Sequence, residues 1–174
     1  NLHRLPTSIG MLCSDHYQSL RSVCRHIAQH DLLHVKNMFI LGKGLAESIA
    51  LEGALKIKEI TYTHAEAYSS GALKHGPFAL IEEGTPIFVI VLNDMNLNLN
   101  LTAIHEVKAR GAHVYAITDL DAQSIEHRLP HPLCHRIIRI PNNGLLTALL
   151  AVVPLQLIAY ELAVARGIDV DRPR

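Results

Sequence analysis

The residues with the clearest chemical potential are two glutamates and a lysine on one predicted helix. Glu52, Lys56 and Glu59 are spaced i, i+4 and i+7, which places them on a single stripe of an α-helix. A carboxylate on such a stripe is a candidate general base, because burial raises its pKa and a neighbouring lysine lowers it. Spacing alone favours a simpler interpretation, a solvated face with local ion pairs. Gly53, which is costly inside a helix, instead indicates close packing beside the stripe.

A second candidate is His75, which lies between Lys74 and Gly76 in a polar loop. An imidazole titrates near neutral pH, so a histidine beside a cation suits acid–base catalysis. A capping or surface histidine is the simpler interpretation, since the chain contains 12 histidines.

The Gly42-Lys43-Gly44 turn lies between a predicted strand and the helix that carries the stripe. Backbone N–H groups at such a turn can meet an anion, but Glu47 takes the place of a third glycine and opposes phosphate. We therefore expect a structural turn in which glycine permits close passage of strand and helix. The turn also leads us to expect the stripe near a strand's carboxyl end, where open α/β sheets bind ligands.

Three histidines and a cysteine between residues 127 and 135 are residue types that can bind zinc. They are His127, His131, Cys134 and His135. Pro130 and Pro132 interrupt the segment, so these residues cannot form one helical row of ligands. We predict no metal site and no cofactor.

Composition excludes several classes of function. The 174 residues suffice for one domain, and 16 basic residues balance 16 acidic ones. No overall charge therefore favours nucleic acid or an anionic membrane surface. The apolar run from Leu145 to Ile158 is interrupted by Thr147, Pro154 and Gln156, which favours a buried helix over a membrane span. Three distant cysteines without a C-x-x-C pair predict a reducing, cytoplasmic setting.

Hydrophobic periodicity predicts alternating strands and helices. Helices are expected at 7–29, with Thr7 or Ser8 as the cap, and at 45–61, 101–110 and 145–166, and strands at 36–41, 85–92, 112–118 and 136–140; residues 93–100 are expected to form a turn. This order predicts an α/β fold, a three-layer αβα sandwich around a mostly parallel sheet of four or five strands.

Long blocks of the chain resemble the sugar isomerase (SIS) family, in particular the second SIS domain of the glutamine–fructose-6-phosphate aminotransferases. The matching blocks are LGKG at 41–44, ALEGALKIKEITY at 50–62, HAEAY at 64–68, LKHGP at 73–77, PLQL at 154–157 and GIDVDRPR at 167–174. The resemblance implies a flavodoxin-like SIS fold and the synthesis of glucosamine 6-phosphate from fructose 6-phosphate with ammonia from glutamine.

The resemblance also implies roles for single residues. Glu59 corresponds to the base that moves a proton between C1 and C2, and His75 to the residue that assists ring opening from the neighbouring subunit of a dimer. Lys56 is implied as a further catalytic residue, and Glu52 and Lys74 as substrate-binding residues. The expected partners are the sugar phosphate, upstream SIS and glutaminase domains, and a second copy of the chain.

Some family features are missing from these residues. The Ser/Thr-rich phosphate loop belongs to the family's first SIS domain, the tail lysine lies beyond Arg174, and Ala72 stands where the family usually has Glu. We expect residues 1–6 to be a linker, 7–168 the SIS domain and 169–174 the start of a tail, with little activity in isolation. The alternatives are a non-catalytic module that senses sugar phosphates and a module that serves mainly to dimerise.

Overall fold

The computed structural model describes residues 2–14 and 18–174. Within them, five strands form one sheet: β1 Asn37–Gly42, β2 His64–Ser69, β3 Pro86–Val91, β4 His113–Thr118 and β5 Arg136–Arg139. The α-helices are α1 Leu5–Cys13, α2 Gln18–His26, α3 Leu45–Thr61, α4 Leu97–Lys108, α5 Ala122–Arg128, α6 Thr147–Leu150 and α7 Val152–Ala165. Short 3-10 turns occupy Leu2–Arg4, Leu73–His75, Pro77–Leu80 and Gly144–Leu146, and a π-helical turn, Ile27–Asp31, follows α2.

The sheet is parallel throughout, with the strand order β2-β1-β3-β4-β5. This is the flavodoxin-like order, and its switch point lies between β1 and β3. All six residues of the central strand β3 are buried, as a strand covered on both faces requires. The predicted parallel α/β sheet is therefore confirmed, with five strands.

Helices cover both faces of the sheet. Alternate residues of the strands, such as Ile40, Phe88 and Ile117, face a core shared with α1, α2, α3, α6 and α7. The other set, such as Leu41, Val89 and Ala116, faces α4, α5 and the segment that contains Leu73 and Ile81. The three-layer sandwich is confirmed.

Two elements were not predicted from the sequence. Strand β2 is an edge strand in which only Ala65 is fully buried, so its sequence lacks the apolar run of a central strand. Helix α5 has only seven residues and depends on a cap, in which the Ser124 N–H donates to Asp121 Oδ1 at 2.7 Å.

Several predicted boundaries were wrong. The first helix begins at Leu5 without a side-chain cap, so neither Thr7 nor Ser8 caps it. The region 7–29 contains two α-helices, and residues 15–17 of that prediction lie outside the described residues. Helix α4 begins at Leu97, inside the Asn-rich stretch expected to be a turn. Buried Asn100 is accommodated there because its Oδ1 accepts a hydrogen bond from Ser70 Oγ at 2.6 Å.

The predicted C-terminal helix is divided into a 3-10 turn, α6 and α7. Residues Gly144–Ala165 are long and apolar enough to cross a membrane by length and composition, yet in their 18-residue window of mean hydropathy 2.0, 61% is buried inside the fold. Leu155, Ile158 and Leu162 of α7 belong to the core. This burial confirms the interpretation as a core helix.

Candidate active site

The stripe on α3 forms a compact charge cluster. Lys56 Nζ lies 2.8 Å from Glu59 Oε2 and 3.7 Å from Glu52 Oε1. The hydrogen bond to Glu59 has the largest influence and raises the pKa of Lys56; desolvation opposes it, and the charges of Glu59 and Glu52 add to the increase. Lys56 is therefore a permanent cation between two carboxylates. The local ion pairing expected from the spacing is confirmed.

The stripe lies on the outer surface of the molecule. The side chains of Lys56, Glu52 and Glu59 are 35%, 42% and 45% exposed. Leu51 and Leu55 beside it are also exposed, which is unusual for two leucines on one helix face. The inner face of α3 packs against α7, where Gly53 lies under Leu155. Gly53 thus indicates close packing on the opposite face rather than a buried stripe.

The position of the stripe along α3 corrects one expectation. Helix α3 starts after the carboxyl end of β1 and ends before the amino end of β2, so it crosses the whole sheet. Glu59 lies in the last turn, about 20 Å from the helix start at ~1.5 Å per residue. Lys56 and Glu59 therefore lie towards the amino edge of the sheet, and the predicted place at the carboxyl edge is wrong.

His75 and Lys74 lie in the loop that follows the carboxyl end of β2. Lys74 Nζ pairs with Glu106 Oε1 on α4 at 2.6 Å, and the His75 side chain is exposed. Among the described residues, no hydrogen bond, ion pair or ring contact connects either side chain to the stripe. Within one copy of the chain, the fold keeps His75 and Glu59 at opposite edges of the sheet.

The Gly42-Lys43-Gly44 turn has the structural role that we expected. A Cβ atom on Gly42 would lie 2.4 Å from the carbonyl oxygen of Ala46, so only glycine allows β1 to pass this close to α3. Lys43 Nζ donates to Ser69 Oγ at 3.1 Å and so ties the turn to the end of β2.

The histidine-rich segment is divided between different surroundings. Cys134 is buried in the core under α4 and α5, and burial raises its pKa to about 11. The His135 ring stacks on His113 at 4.6 Å, and its Nε2 lies 3.6 Å from Asp31 Oδ2. No group of three or more histidine, cysteine, aspartate or glutamate side chains that could hold a metal ion occurs in the described part of the chain.

A further polar group, at the carboxyl edge of the sheet, was missed by the sequence analysis. Asp119, which follows β4, accepts hydrogen bonds from the Asn93 backbone N–H at 2.8 Å and from Asn142 Nδ2 at 2.5 Å. These residues follow three different strands, so only the sheet order brings them together. The runs Asn93-Asp94 and Asn142-Asn143 were the available signal, because both directly follow strands.

Comparison with known proteins identifies the domain type. Residues 31–166 match the SIS domain family. The chain is 46% identical over 140 residues to a glutamine–fructose-6-phosphate aminotransferase (isomerizing) from Xanthomonas campestris pv. campestris, covering 80% of this chain and 22% of that protein. A relative of the same name from Thermosynechococcus vestitus is 38% identical over 176 residues, covering 99% of this chain and 27% of that protein.

The same relationship is found among solved structures. The C-terminal domain of glucosamine-fructose-6-phosphate aminotransferase from Francisella tularensis superposes with a TM-score of 0.81 and 36% identity, covering 90% of this chain and 43% of that one. The chain spans about a quarter of the length of these curated relatives. The match of the family over most of the sequence, together with the confirmed fold, shows that this chain belongs to the SIS domain family.

Proposed function

We propose that this chain acts as the C-terminal SIS domain of a glucosamine-6-phosphate synthase. In that role it contributes to the conversion of fructose 6-phosphate into glucosamine 6-phosphate with ammonia derived from glutamine. The observation that carries the proposal is the Glu52, Lys56 and Glu59 cluster, which lies on the surface of a domain whose full-length relatives are isomerizing aminotransferases.

The chemistry of the cluster suits proton transfer between neighbouring carbons. Isomerisation of a C2 imine needs one base that removes a proton from C1 and returns it at C2. Glu59 carries a carboxylate at the free end of the stripe, and Lys56 places a fixed positive charge 2.8 Å from it. That charge stabilises negative charge that develops on the substrate. Glu52 Oε1 lies 3.7 Å from Lys56 Nζ and forms the second ion pair of the cluster.

The exposure of the stripe supports a site that is completed by other parts of the assembly. Leu51 and Leu55 are 56% and 42% exposed beside it, a surface suited to contact with the upstream SIS domain. Such contact would exclude water from the stripe and enclose the substrate beside Glu59. His75 lies at the opposite sheet edge, so its role in ring opening requires a second copy of the chain. The proposal therefore includes a homodimer; for its location we propose the cytoplasm, which suits a chain with three unpaired cysteines.

The decisive experiment is deuterium wash-in at C1 of fructose 6-phosphate in heavy water, followed by NMR. It compares this chain with a protein extended by the upstream domain and the tail. We expect exchange in the extended protein only, since this chain by itself leaves Glu59 solvated and the sugar unheld. Glu59→Gln should abolish exchange, while Glu82→Gln, an exposed matched control, should leave it unchanged.

Two outcomes would contradict this assignment. Exchange by the isolated chain would show that the site is already complete, and full exchange in the Glu59→Gln variant would remove Glu59 from the mechanism.

Mixed dimers provide a sharper test of the shared site. A copy with Glu59→Gln and a copy with His75→Ala should together recover up to about half of the activity, because one of the two sites keeps both residues.

A non-catalytic sugar-phosphate-binding module is the second candidate. The observation in its favour is that the three charges of the stripe satisfy one another in solvent, as they would on a surface without catalytic work. Such a module would bind the sugar equally well with Glu59→Gln and would show no proton exchange in any form of the protein.

A further inference from the structure

The carboxyl edge of the sheet contains a second concave site, separate from the stripe on α3. A cavity of about 750 Å³ opens at the switch point between β1 and β3 and is lined by the loops that follow β1, β3, β4 and β5. Its volume lies within the range typical of small-molecule sites, and such sites in open α/β sheets favour this position.

The walls of this crevice are mixed in character. Leu45, Met95 and Leu145 form an apolar rim, and they are 63%, 94% and 89% exposed. Such exposure of three large apolar side chains around one opening is unusual for a surface in contact with water alone. The floor is polar, with Asn93, Asp94, Asn96, Asp119 and Asn142 among the lining residues.

The position of the crevice would suggest a phosphate ligand, but its charge excludes one. Its described lining includes two aspartates and no lysine, arginine or histidine. Positions that would attract a phosphate at the start of α4 and beside β4 are already occupied by the chain's own carboxylates. Asp94 Oδ1 accepts the Asn96 N–H at 2.7 Å just before α4, and Asp119 accepts the Asn93 N–H at 2.8 Å. A phosphate placed here would meet like charge, and these two backbone N–H groups are already engaged.

The same geometry suits a ligand that offers hydroxyl donors and a positive charge. Asp119 is fixed by two hydrogen bonds, and Asn142 Oδ1 in turn accepts the Gly144 N–H at 3.0 Å, so the floor is preorganised. The side-chain amides of Asn93 and Asn96 take no part in these bonds and can pair with ring hydroxyls. The apolar rim can cover the C–H face of a sugar ring.

We propose that this crevice binds an amino sugar without a phosphate group, with the ammonium paired to Asp94. Binding here does not depend on the reaction proposed for the stripe, so the two ideas fail separately. Asp94 is the contact to test, because it lies on an exposed turn and one of its oxygens is free of the turn's hydrogen bond. Asp119 is less informative, since its loss would disturb the floor itself.

The test is a titration of the ¹⁵N-labelled chain with glucosamine, followed by amide chemical shifts. We expect shifts at residues 93–96, 119 and 142–148, with weaker binding of glucose and none of glucose 6-phosphate. Asp94→Asn should weaken glucosamine binding about tenfold, as expected for loss of one charged hydrogen bond. Glu126→Gln, an exposed change elsewhere, should not alter it.

Three results would overturn the proposal. They are the absence of shifts around the crevice, binding of glucose 6-phosphate as tight as that of glucosamine, and unchanged affinity in a folded Asp94→Asn variant. The amide spectrum reports the folding of each variant directly, so a loss of binding through misfolding is recognised in the same experiment.

Discussion

Helices α3 and α7 lie side by side on one face of the sheet, and each contributes glutamate to a cluster of charges. On α3, Lys56 pairs with Glu52 and Glu59 within one helix, and all three side chains are at least a third exposed. On α7, Glu161 is 4% exposed and accepts hydrogen bonds from two arginines of α2, Arg21 at 3.1 Å and Arg25 at 3.0 Å.

The difference separates a structural charge cluster from a candidate reactive one. Glu161 has exchanged water for two guanidinium groups, so its charge holds α2 against α7 and is closed to any ligand. Glu59 keeps one neighbour and open solvent, so a substrate or another domain can still reach it. The more deeply buried carboxylate is thus the worse candidate for catalysis, because its bonding capacity is already used.

The largest effect on stability is expected for Glu161→Gln. The change keeps the size of the side chain and removes its charge, which leaves a buried amide opposite two arginines. We expect a loss of roughly 2 kcal/mol in the free energy of unfolding, because the arginines are half exposed and can return to water. Glu59→Gln should cost under about 0.5 kcal/mol in the same urea titration. Equal losses at the two sites would contradict the distinction between the clusters.

The stability difference between the wild type and Glu161→Gln should depend on pH. Burial would raise the pKa of Glu161, but the hydrogen bonds and charges of Arg25 and Arg21 outweigh it, so the pKa lies below the usual value of about 4.5. A carboxyl group of this kind contributes stability above pH 4.5 and loses it as the pH falls through the pKa of the folded state.

Urea titrations between pH 7 and pH 3 measure this contribution. The stability advantage of the wild type over Glu161→Gln should be constant down to about pH 5 and then shrink. An advantage that grows on acidification would mean that the pKa of Glu161 is raised in the folded protein, and that the arginines do not compensate its burial.

The two clusters differed in how well the sequence predicted them, because their contacts span different distances along the chain. The α3 stripe is encoded within eight residues, so helical spacing was enough to predict its ion pairs. The partners of Glu161 are 140 and 136 positions away, and Glu161 was not singled out. The carboxyl-edge group of Asp119, Asn93 and Asn142 was missed for the same reason, because three separate strands assemble it.

The fold was more predictable than either site. Central strands such as β3 have continuous apolar runs, and their sequence alone located them. Edge strand β2 and the short helix α5 have little apolar periodicity, and contacts made elsewhere in the fold determine them. The position of Glu59 at the amino edge also required the structure, since spacing indicates which side of a helix a residue occupies and not which edge of the sheet it approaches.

The contact between α3 and α7 leads to a prediction with an intermediate effect on stability. A Cβ atom on Gly53 would lie 2.4 Å from Leu155 Cδ1 and 3.1 Å from Leu155 Cβ, whereas one on Gly10 of α1 would meet nothing within 4 Å. Gly53→Ala should therefore cost about 1–2 kcal/mol through overpacking, despite the better helix propensity of alanine. Gly10→Ala should stabilise the chain by up to about 1 kcal/mol. Thermal unfolding of both variants measures the contrast, and similar effects at the two sites would show that α3 and α7 are less tightly packed.

The smallest effect concerns Lys56. Lys56→Gln leaves Glu52 and Glu59 without their cation, and we expect only a small loss in the free energy of unfolding at low salt, because both carboxylates stay hydrated. At about 1 M NaCl the Debye length falls to ~3 Å, so most of this loss should disappear. The loss caused by Glu161→Gln should persist in the same salt, since its partners exclude solvent from a nearly buried carboxylate. Persistence of the Lys56→Gln effect at high salt would show that the stripe is shielded from solvent even in this domain. Glu59 would then be prepared for proton transfer by this chain's own fold, with less need of a covering partner.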